Sequence, residues 1–209
     1  MTQVDHTLRG ASSANEHERA LLRRVAARDR AAFQELYLMY HRRLARFLLR
    51  LTSRHDVAEE VINDSLWVVW QRAADFRGDS TVSTWIMGIA YRRALKTLRS
   101  RTAKEWFIDL VDKLPTWSDD EPDRETDREW LASALSQLPT EQRATLELSY
   151  VFGHSCEEIA GIMQCPVNTV KTRMFQARRK LKAILPRLAN PNSASPDPAN
   201  LNPELDKHE

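Results

Sequence analysis

The stretch from Ser155 to Leu181 constrains the fold of this chain more than any other. Ser155 and Glu158 have the S-x-x-E spacing of a capping box, in which each side chain satisfies a free backbone N–H at the start of a helix. That helix should end near Met163, because Pro166 lacks an amide proton and disfavours helical geometry at the residue before it. A second helix should follow directly. The stretch therefore predicts two helices joined by a tight turn.

The second of these helices has two contrasting faces. One is apolar, with residues at helical spacing: Val170, Met174, Ala177 and Leu181. The other is polar and basic: Asn168, Lys171, Thr172, Phe175, Gln176, Arg178 and Arg179. An ordinary helical hairpin with a solvated basic face is the simpler explanation. The cap, the turn and the one-sided charge together favour a helix-turn-helix whose second helix enters a DNA major groove.

The turn of this motif carries an unusual residue. Gln164 stands where such motifs usually have glycine, so the turn requires a non-glycine residue at positive φ, which costs some free energy.

Composition supports an all-α protein. The chain has 209 residues, of which 42% are hydrophobic, and only 5 glycines. Strand-like alternation is scarce, so we expect two small helical domains joined by a flexible acidic linker. The net charge of +2 conceals basic clusters near 92–104 and 171–187 and an acidic run at 118–129. Basic and acidic residues that cluster in separate segments say more about binding partners than the net charge does.

We expect the following organisation along the chain: a disordered N-terminus over 1–15, a first helical domain over 16–101, a linker over 102–128, a second helical domain over 129–187 and a disordered tail over 188–209. The linker loses apolar periodicity, and the tail is rich in Pro, Asn and Ser. The sequence shows neither an apolar signal core nor a long apolar run, so we expect a cytoplasmic protein.

A metal site or other cofactor is not expected. The chain has two cysteines, Cys156 and Cys165, with His154 nearby. Their spacing matches no common zinc pattern, and three ligands at most are available. Cysteines that form no disulfide framework suit a reducing interior.

The helix predicted from Val57 to about Ala74 is apolar around much of its circumference. Val61, Trp67 and Trp70 widen the apolar surface beyond a single stripe, and the helix begins with acidic residues. Complete burial and a protein partner both explain this pattern, and the residues alone do not decide between them.

The helix predicted from Val82 to Arg101 ends in a dense basic run. Arg92, Lys96 and Arg99 share one face, Arg93 lies beside it, and no acidic residue occurs from 82 to 104. A solvated basic helix is the usual explanation for such a run. With Trp85 and Tyr91 nearby, the pattern also suits a single-stranded or melted nucleic acid, which needs cations for phosphates and aromatic rings for bases.

The order of these elements resembles the extracytoplasmic-function sigma factors of bacterial RNA polymerase, over about residues 21–187. DVAEEVINDSLWVVWQ is similar to the family's helix that binds core polymerase. FRGDSTVSTWIMGIAYRRALKTLRSR is similar to its promoter −10 segment, and LPTEQRATLELSYVFGHSCEEIAGIMQCPVNTVKTRMFQARRKL to its −35 helix-turn-helix.

The resemblance implies a role for three sets of residues. Core-polymerase binding would involve Glu60, Val61, Ile62, Asp64, Leu66, Trp67 and Trp70. Binding of the −10 element would involve Arg77, Arg92, Arg93, Lys96 and Arg99. Binding of the −35 element would involve Asn168, Thr169, Lys171, Thr172, Arg173, Phe175, Gln176 and Arg178, with Arg173 and Arg178 on phosphates. The sequence departs from the family's common pattern at Arg92 (often Asn), Lys96 (often Asp) and Gln176 (often Arg), so base preferences are not implied.

The implied function is that of an alternative sigma factor controlling a stress- or signal-responsive regulon. The implied partners are core RNA polymerase, through its β′ clamp helices and β flap, promoter DNA and an anti-sigma factor, with no small-molecule substrate. An enzyme is not expected, because no phosphate-binding loop or catalytic constellation occurs. The alternative is a free-standing helix-turn-helix regulator with a ligand-sensing or dimerising N-terminal domain.

Overall fold

A computed structural model describes residues 3–105 and 133–189, with side chains described over 14–100 and 133–185. The first domain contains α1 (Gln3–Ala26), α2 (Arg30–Thr52), α3 (His55–Arg72), a 3-10 turn (Ala73–Asp75) and α4 (Val82–Glu105). The second contains α5 (Thr140–Leu146), a π-helical turn (Glu147–Val151), α6 (Cys156–Met163) and α7 (Val167–Ala189). The described residues contain no strand, which confirms the all-α class. None of the described helices is both long and apolar enough to cross a membrane.

The first domain is a bundle centred on α2. Asp29 caps this helix, because its carboxylate accepts hydrogen bonds from the N–H groups of Ala31 at 2.9 Å and Ala32 at 3.1 Å. Ser53, at φ 56°, ends it. One face of α2 is fully buried against α1, α3 and α4: Leu36, Tyr40, Leu44, Phe47 and Leu48. The α-helical periodicity of the sequence thus sets the core of this domain.

The second domain contains the predicted helix-turn-helix. Ser155 Oγ accepts a hydrogen bond from the N–H of Glu158 at 3.2 Å, and Glu158 accepts one from the N–H of Ser155 at 3.0 Å. Gln164 adopts the left-handed conformation (φ 51°, ψ 51°), and its N–H bonds the carbonyl oxygen of Ala160. The predicted capping box and the predicted positive φ are both confirmed.

The apolar face predicted for α7 packs against the rest of the second domain. Val170, Met174 and Ala177 are buried, and Leu181 lies against the same surface. Leu138 and Leu146 complete a small cluster beside it. Burial of this face leaves the basic face of α7 directed outward.

The two domains pack against each other, chiefly through α4 and α6. Ile159 and Ile162 of α6 belong to the same continuous apolar cluster as Ile86 and Met87 of α4. The helix that carries the basic run is therefore covered by the first domain on one side and by the helix-turn-helix on another.

Some element boundaries differ from those predicted. Helix α1 begins at Gln3, whereas the sequence predicted a helix from about residue 16 after a disordered start. Residues 3–15 contain no proline, and most of the polar residues there are compatible with a helix. Helix α4 continues to Glu105 and α7 to Ala189. The rest of the predicted linker and tail lies outside the described residues.

Replacement of the capping residue should destabilise the second domain. Ser155→Ala removes the side-chain acceptor for the N–H of Glu158, so we expect a loss of about 1 kcal/mol in the free energy of unfolding. Chemical denaturation followed by circular dichroism measures this. Ser136→Ala replaces an exposed serine whose hydroxyl donates to the Ser133 carbonyl oxygen, and this control should change the free energy of unfolding little. Equal stability of Ser155→Ala and the control would show that the cap contributes nothing.

Candidate nucleic-acid and protein interfaces

The outward face of α7 carries the residues predicted to bind the −35 element. Six of the eight are exposed: Asn168, Lys171, Thr172, Phe175, Gln176 and Arg178. Thr169 and Arg173 are half-buried. The structure therefore brings all eight to the second helix of the motif, with most of them accessible to a ligand.

Local contacts hold parts of this face in place. Phe175 is 62% exposed and lies beneath the Arg179 guanidinium, 6.0 Å from the ring centre. Gln176 accepts a hydrogen bond from Gln142 of α5 at 3.1 Å. No carboxylate of the described residues pairs with Lys171. An unneutralised cation on such a face is available to a phosphate.

The residues predicted to bind the −10 element are in three different environments. Arg77 is exposed in the loop before α4, and Lys96 and Arg99 are exposed on α4. Arg93 is half-buried and donates to Asp64 of α3 at 2.7 Å. Arg92 is half-buried, and burial, together with the charge of Arg72, lowers its pKa.

Arg92 lines a cleft between α4 and the end of α6. The cleft has a volume of about 630 Å³, and its other lining residues include Lys96, Arg99, Tyr91 and Gln164. Among the described residues, no carboxylate lines this cleft. Burial disfavours the charged form of the Arg92 guanidinium. An anion that entered the cleft would give this guanidinium a charge partner, which the described residues of the lining do not provide.

The loop before α4 is held by a residue that sequence reasoning missed. Arg19 of α1 donates to the carbonyl oxygens of Gly78 at 3.1 Å and Ser80 at 3.2 Å. It also lies 5.9 Å from the ring centre of Phe76, which packs against Trp85. Arg19 is about 60 positions away in the sequence, and no local pattern marks it. It positions the loop that carries Arg77.

The residues predicted to bind core polymerase divide into exposed and buried groups. Trp67 is 57% exposed, and Glu60 and Asp64 are exposed. Val61, Ile62 and Leu66 are at most 1% exposed, so packing in the first domain accounts for their apolar character. Trp70 is half-buried against Phe33, with ring centres 5.0 Å apart, and lies beneath Arg28. Only part of the predicted set is on the surface in this structure.

The candidate metal ligands do not come together. Among the described residues, no group of three or more His, Cys, Asp and Glu side chains could hold a metal ion. His154 is buried, and its Nδ1 lies 3.5 Å from Glu158 Oε2. Burial lowers the pKa of this histidine.

Similarity to known proteins identifies the two domains. The family described as Sigma-70 region 2 matches residues 36–104, and Sigma-70, region 4 matches residues 128–181. The chain is 30% identical over 186 residues to the RNA polymerase sigma-H factor of Pseudomonas aeruginosa. This match covers 83% of the chain and 96% of that protein. It is 35% identical over 176 residues to the ECF RNA polymerase sigma factor SigM of Mycobacterium tuberculosis, covering 81% and 86%.

A solved structure shows the same arrangement of helices. The sigma factor RpoE from Bartonella quintana, in complex with the anti-sigma factor NepR, matches with a TM-score of 0.63 at 27% identity. The match covers 74% of this chain and 96% of RpoE. The fold and the matches to both sigma-70 regions together define a two-domain transcription initiation factor. The chain belongs to the sigma-70 family, in its extracytoplasmic-function class, which confirms the predicted family and the role of an alternative sigma factor.

Two neighbouring residues of α3 should respond differently to truncation. Ile62→Ala removes a fully buried side chain, so we expect a loss of about 2–5 kcal/mol in the free energy of unfolding. Trp67→Ala removes a largely exposed side chain and should change the free energy of unfolding by at most about 1 kcal/mol. Denaturant titration of the full chain measures both. A large loss with Trp67→Ala would mean that this side chain is part of the core.

Proposed function

We propose that this sigma factor divides promoter recognition and polymerase binding among three surfaces. The face of α7 binds the −35 element, the basic face of α4 with the loop at Arg77 binds the −10 element, and the exposed part of α3 binds core polymerase. The observation that carries the proposal is the outward face of α7, where no carboxylate of the described residues pairs with Lys171, within the part matched by Sigma-70, region 4.

The surface proposed for core polymerase is narrower than the sequence suggested. Trp67 is its apolar centre, with Glu60 and Asp64 as acidic neighbours that suit a basic partner. Trp70 contributes at the edge. Val61, Ile62 and Leu66 support this surface from beneath, since their side chains are buried. We assign the β′ clamp helices to this surface and the β flap to the region 4 domain.

The polymerase supplies the chemistry in this proposal, and the sigma factor supplies only binding. It would act in the bacterial cytoplasm, where polymerase and chromosome meet, and serve a stress- or signal-responsive regulon. An anti-sigma factor is a further proposed partner, because RpoE, a structural relative, is found in complex with one. A free-standing regulator is not favoured, since that function would not require a region 2 domain.

Run-off transcription tests the function directly. Core polymerase lacking any sigma factor is supplied with genomic promoter fragments, with and without the full chain. We expect transcripts that start at defined sites only when the chain is present. Trp67→Ala should reduce these transcripts and weaken binding to core polymerase, while its affinity for duplex −35 DNA stays unchanged. Absence of defined starts from the wild-type chain would contradict the proposal.

Lys171 should contribute to the electrostatic part of −35 binding. Lys171→Ala removes a cation from the proposed interface, so we expect about tenfold weaker binding and a salt-dependence slope lower by about 0.9. Fluorescence anisotropy on duplex promoter DNA at several salt concentrations measures both. Lys180→Ala, an exposed lysine of the same helix outside the proposed set, is the matched control. Equal losses in the two variants would indicate non-specific charge attraction alone.

A further inference from the structure

The side chain of Gln176, on the proposed −35 face, is anchored by the neighbouring helix α5. Its Oε1 accepts a hydrogen bond from Gln142 Nε2, with 3.1 Å between the two atoms. Gln176 is exposed, whereas Gln142 is half-buried. An exposed glutamine samples many rotamers, and a contact that it makes with a ligand must overcome this entropy. The hydrogen bond therefore orders Gln176 before any DNA is bound.

Apolar packing beside this pair sets the distance between the two helices. Leu146 follows Gln142 by four positions, so the two side chains lie on the same face of α5. Ala177 follows Gln176 directly on α7. Leu146 and Ala177 are both buried in the small cluster that also contains Leu138. The packing of α5 against α7 thus holds Gln142 within reach of Gln176.

The Gln142 amide has one end enclosed by the protein. Its Oε1 is buried and has no hydrogen-bond partner among the described residues. Its Nε2 donates to Gln176, and the described part of the chain offers this amide no second partner. Because buried polar groups are normally hydrogen-bonded, an amide at this place calls for an explanation other than packing. Orientation of the Gln176 side chain is a role that accounts for it.

The hydrogen bond also determines which atoms of Gln176 remain for a ligand. A carboxamide has an oxygen that accepts hydrogen bonds and a nitrogen with two N–H groups that donate them. The oxygen faces Gln142, and no described residue accepts a hydrogen bond from the nitrogen. Gln176 therefore presents hydrogen-bond donors on the outward face of α7.

We propose that Gln142 is a specificity-determining positioning residue: it holds the Gln176 amide with its N–H groups toward the major groove, so that one position of the −35 element is read as a keto base, guanine or thymine. The inference rests on the proposed role of α7 in −35 binding. Guanine O6 and thymine O4 accept hydrogen bonds in the major groove, whereas adenine N6 and cytosine N4 donate them. A glutamine without an anchor bonds adenine through both amide atoms, and the anchor removes that arrangement.

Selection of promoter DNA by the assembled polymerase tests this reading. Core polymerase loaded with the full chain binds duplexes from a library that is randomised over the −35 element, and the bound duplexes are sequenced. We expect one position at which a keto base on a given strand is favoured by about fivefold or more. Gln176→Ala should lose the preference at this position alone, which identifies the position.

Nucleotide analogues show which strand Gln176 contacts. Every base pair has a keto base on one strand and an amino base on the other, so the analogues are needed to tell the two apart. We expect that an analogue without the O6 or O4 oxygen, placed in the selected pair, weakens wild-type binding by about fivefold. An analogue of the partner base without its N6 or N4 amino group should not weaken it. Neither analogue should alter binding by Gln176→Ala.

Gln142→Glu is the decisive variant. A carboxylate only accepts hydrogen bonds, so Gln176 must turn its nitrogen toward the new side chain and its oxygen toward the DNA. We expect the preference at the identified position to reverse, with the keto and amino bases exchanged between the strands. The added negative charge lowers affinity for all sequences alike, so the ratio between sequences is the readout. Gln142→Ala adds no charge and should relax the preference to about twofold or less.

Two controls separate positioning from other effects. Gln137→Glu makes the same change of charge at an exposed glutamine of the second domain and should keep the wild-type preference. In a chain that already carries Gln176→Ala, Gln142→Glu should not change the preference, because a residue that acts through Gln176 has no effect without it.

The outcomes separate this inference from the proposed function. If polymerase with the wild-type chain selects no −35 sequence, the proposed function fails and the inference fails with it. If a sequence is selected but Gln142→Glu or Gln142→Ala keeps the wild-type preference, Gln142 has no positioning role and the inference is overturned. It is also overturned if Gln176→Ala changes no position, or if removal of the amino group, and not of the keto oxygen, weakens wild-type binding.

Discussion

The arrangement of the two domains depends on the hydrogen bonds that the Glu158 carboxylate accepts. It accepts hydrogen bonds from the Ser155 N–H at 3.0 Å and the Thr84 hydroxyl at 3.1 Å, and it lies 3.5 Å from His154 Nδ1. Burial acts to raise the pKa of this carboxyl, but these partners bring it below its ordinary value. One side chain therefore starts α6 and ties it to α4. Its contribution is present above the ordinary carboxyl pKa and is lost as pH falls through the lowered value.

Features encoded within one or two helical turns were predictable from the sequence. The Ser155–Glu158 cap, the left-handed Gln164 and the two faces of α7 each follow from residues three or four positions apart, where local geometry decides. The same locality made the exposed face of α7, for which we propose −35 binding, predictable from the sequence. Its residues share a helix with the apolar stripe that fixes which side points outward.

Features that depend on contacts between distant segments were not predictable. Arg19 and the loop at Gly78 are separated by 59 positions, and Arg50 and Glu147 by 97. The apolar width of α3 was ambiguous for a related reason. A helix that packs against both α2 and α4 buries more than one stripe, so Val61 and Leu66 look like a binding surface until the neighbours are known.

Helix α4 illustrates how one surface serves two environments. Where it meets α6, it carries Thr84 and Gly88 in place of large apolar residues. A leucine at either position would extend well beyond a Cβ atom, and a Cβ atom on Gly88 would already lie 3.6 Å from the backbone of Ile162, so the two helices would have to move apart. The Thr84 hydroxyl also donates to Glu158 at 3.1 Å, a hydrogen bond that leucine could not make. Small and polar residues on this part of α4 therefore set how closely the two domains approach each other.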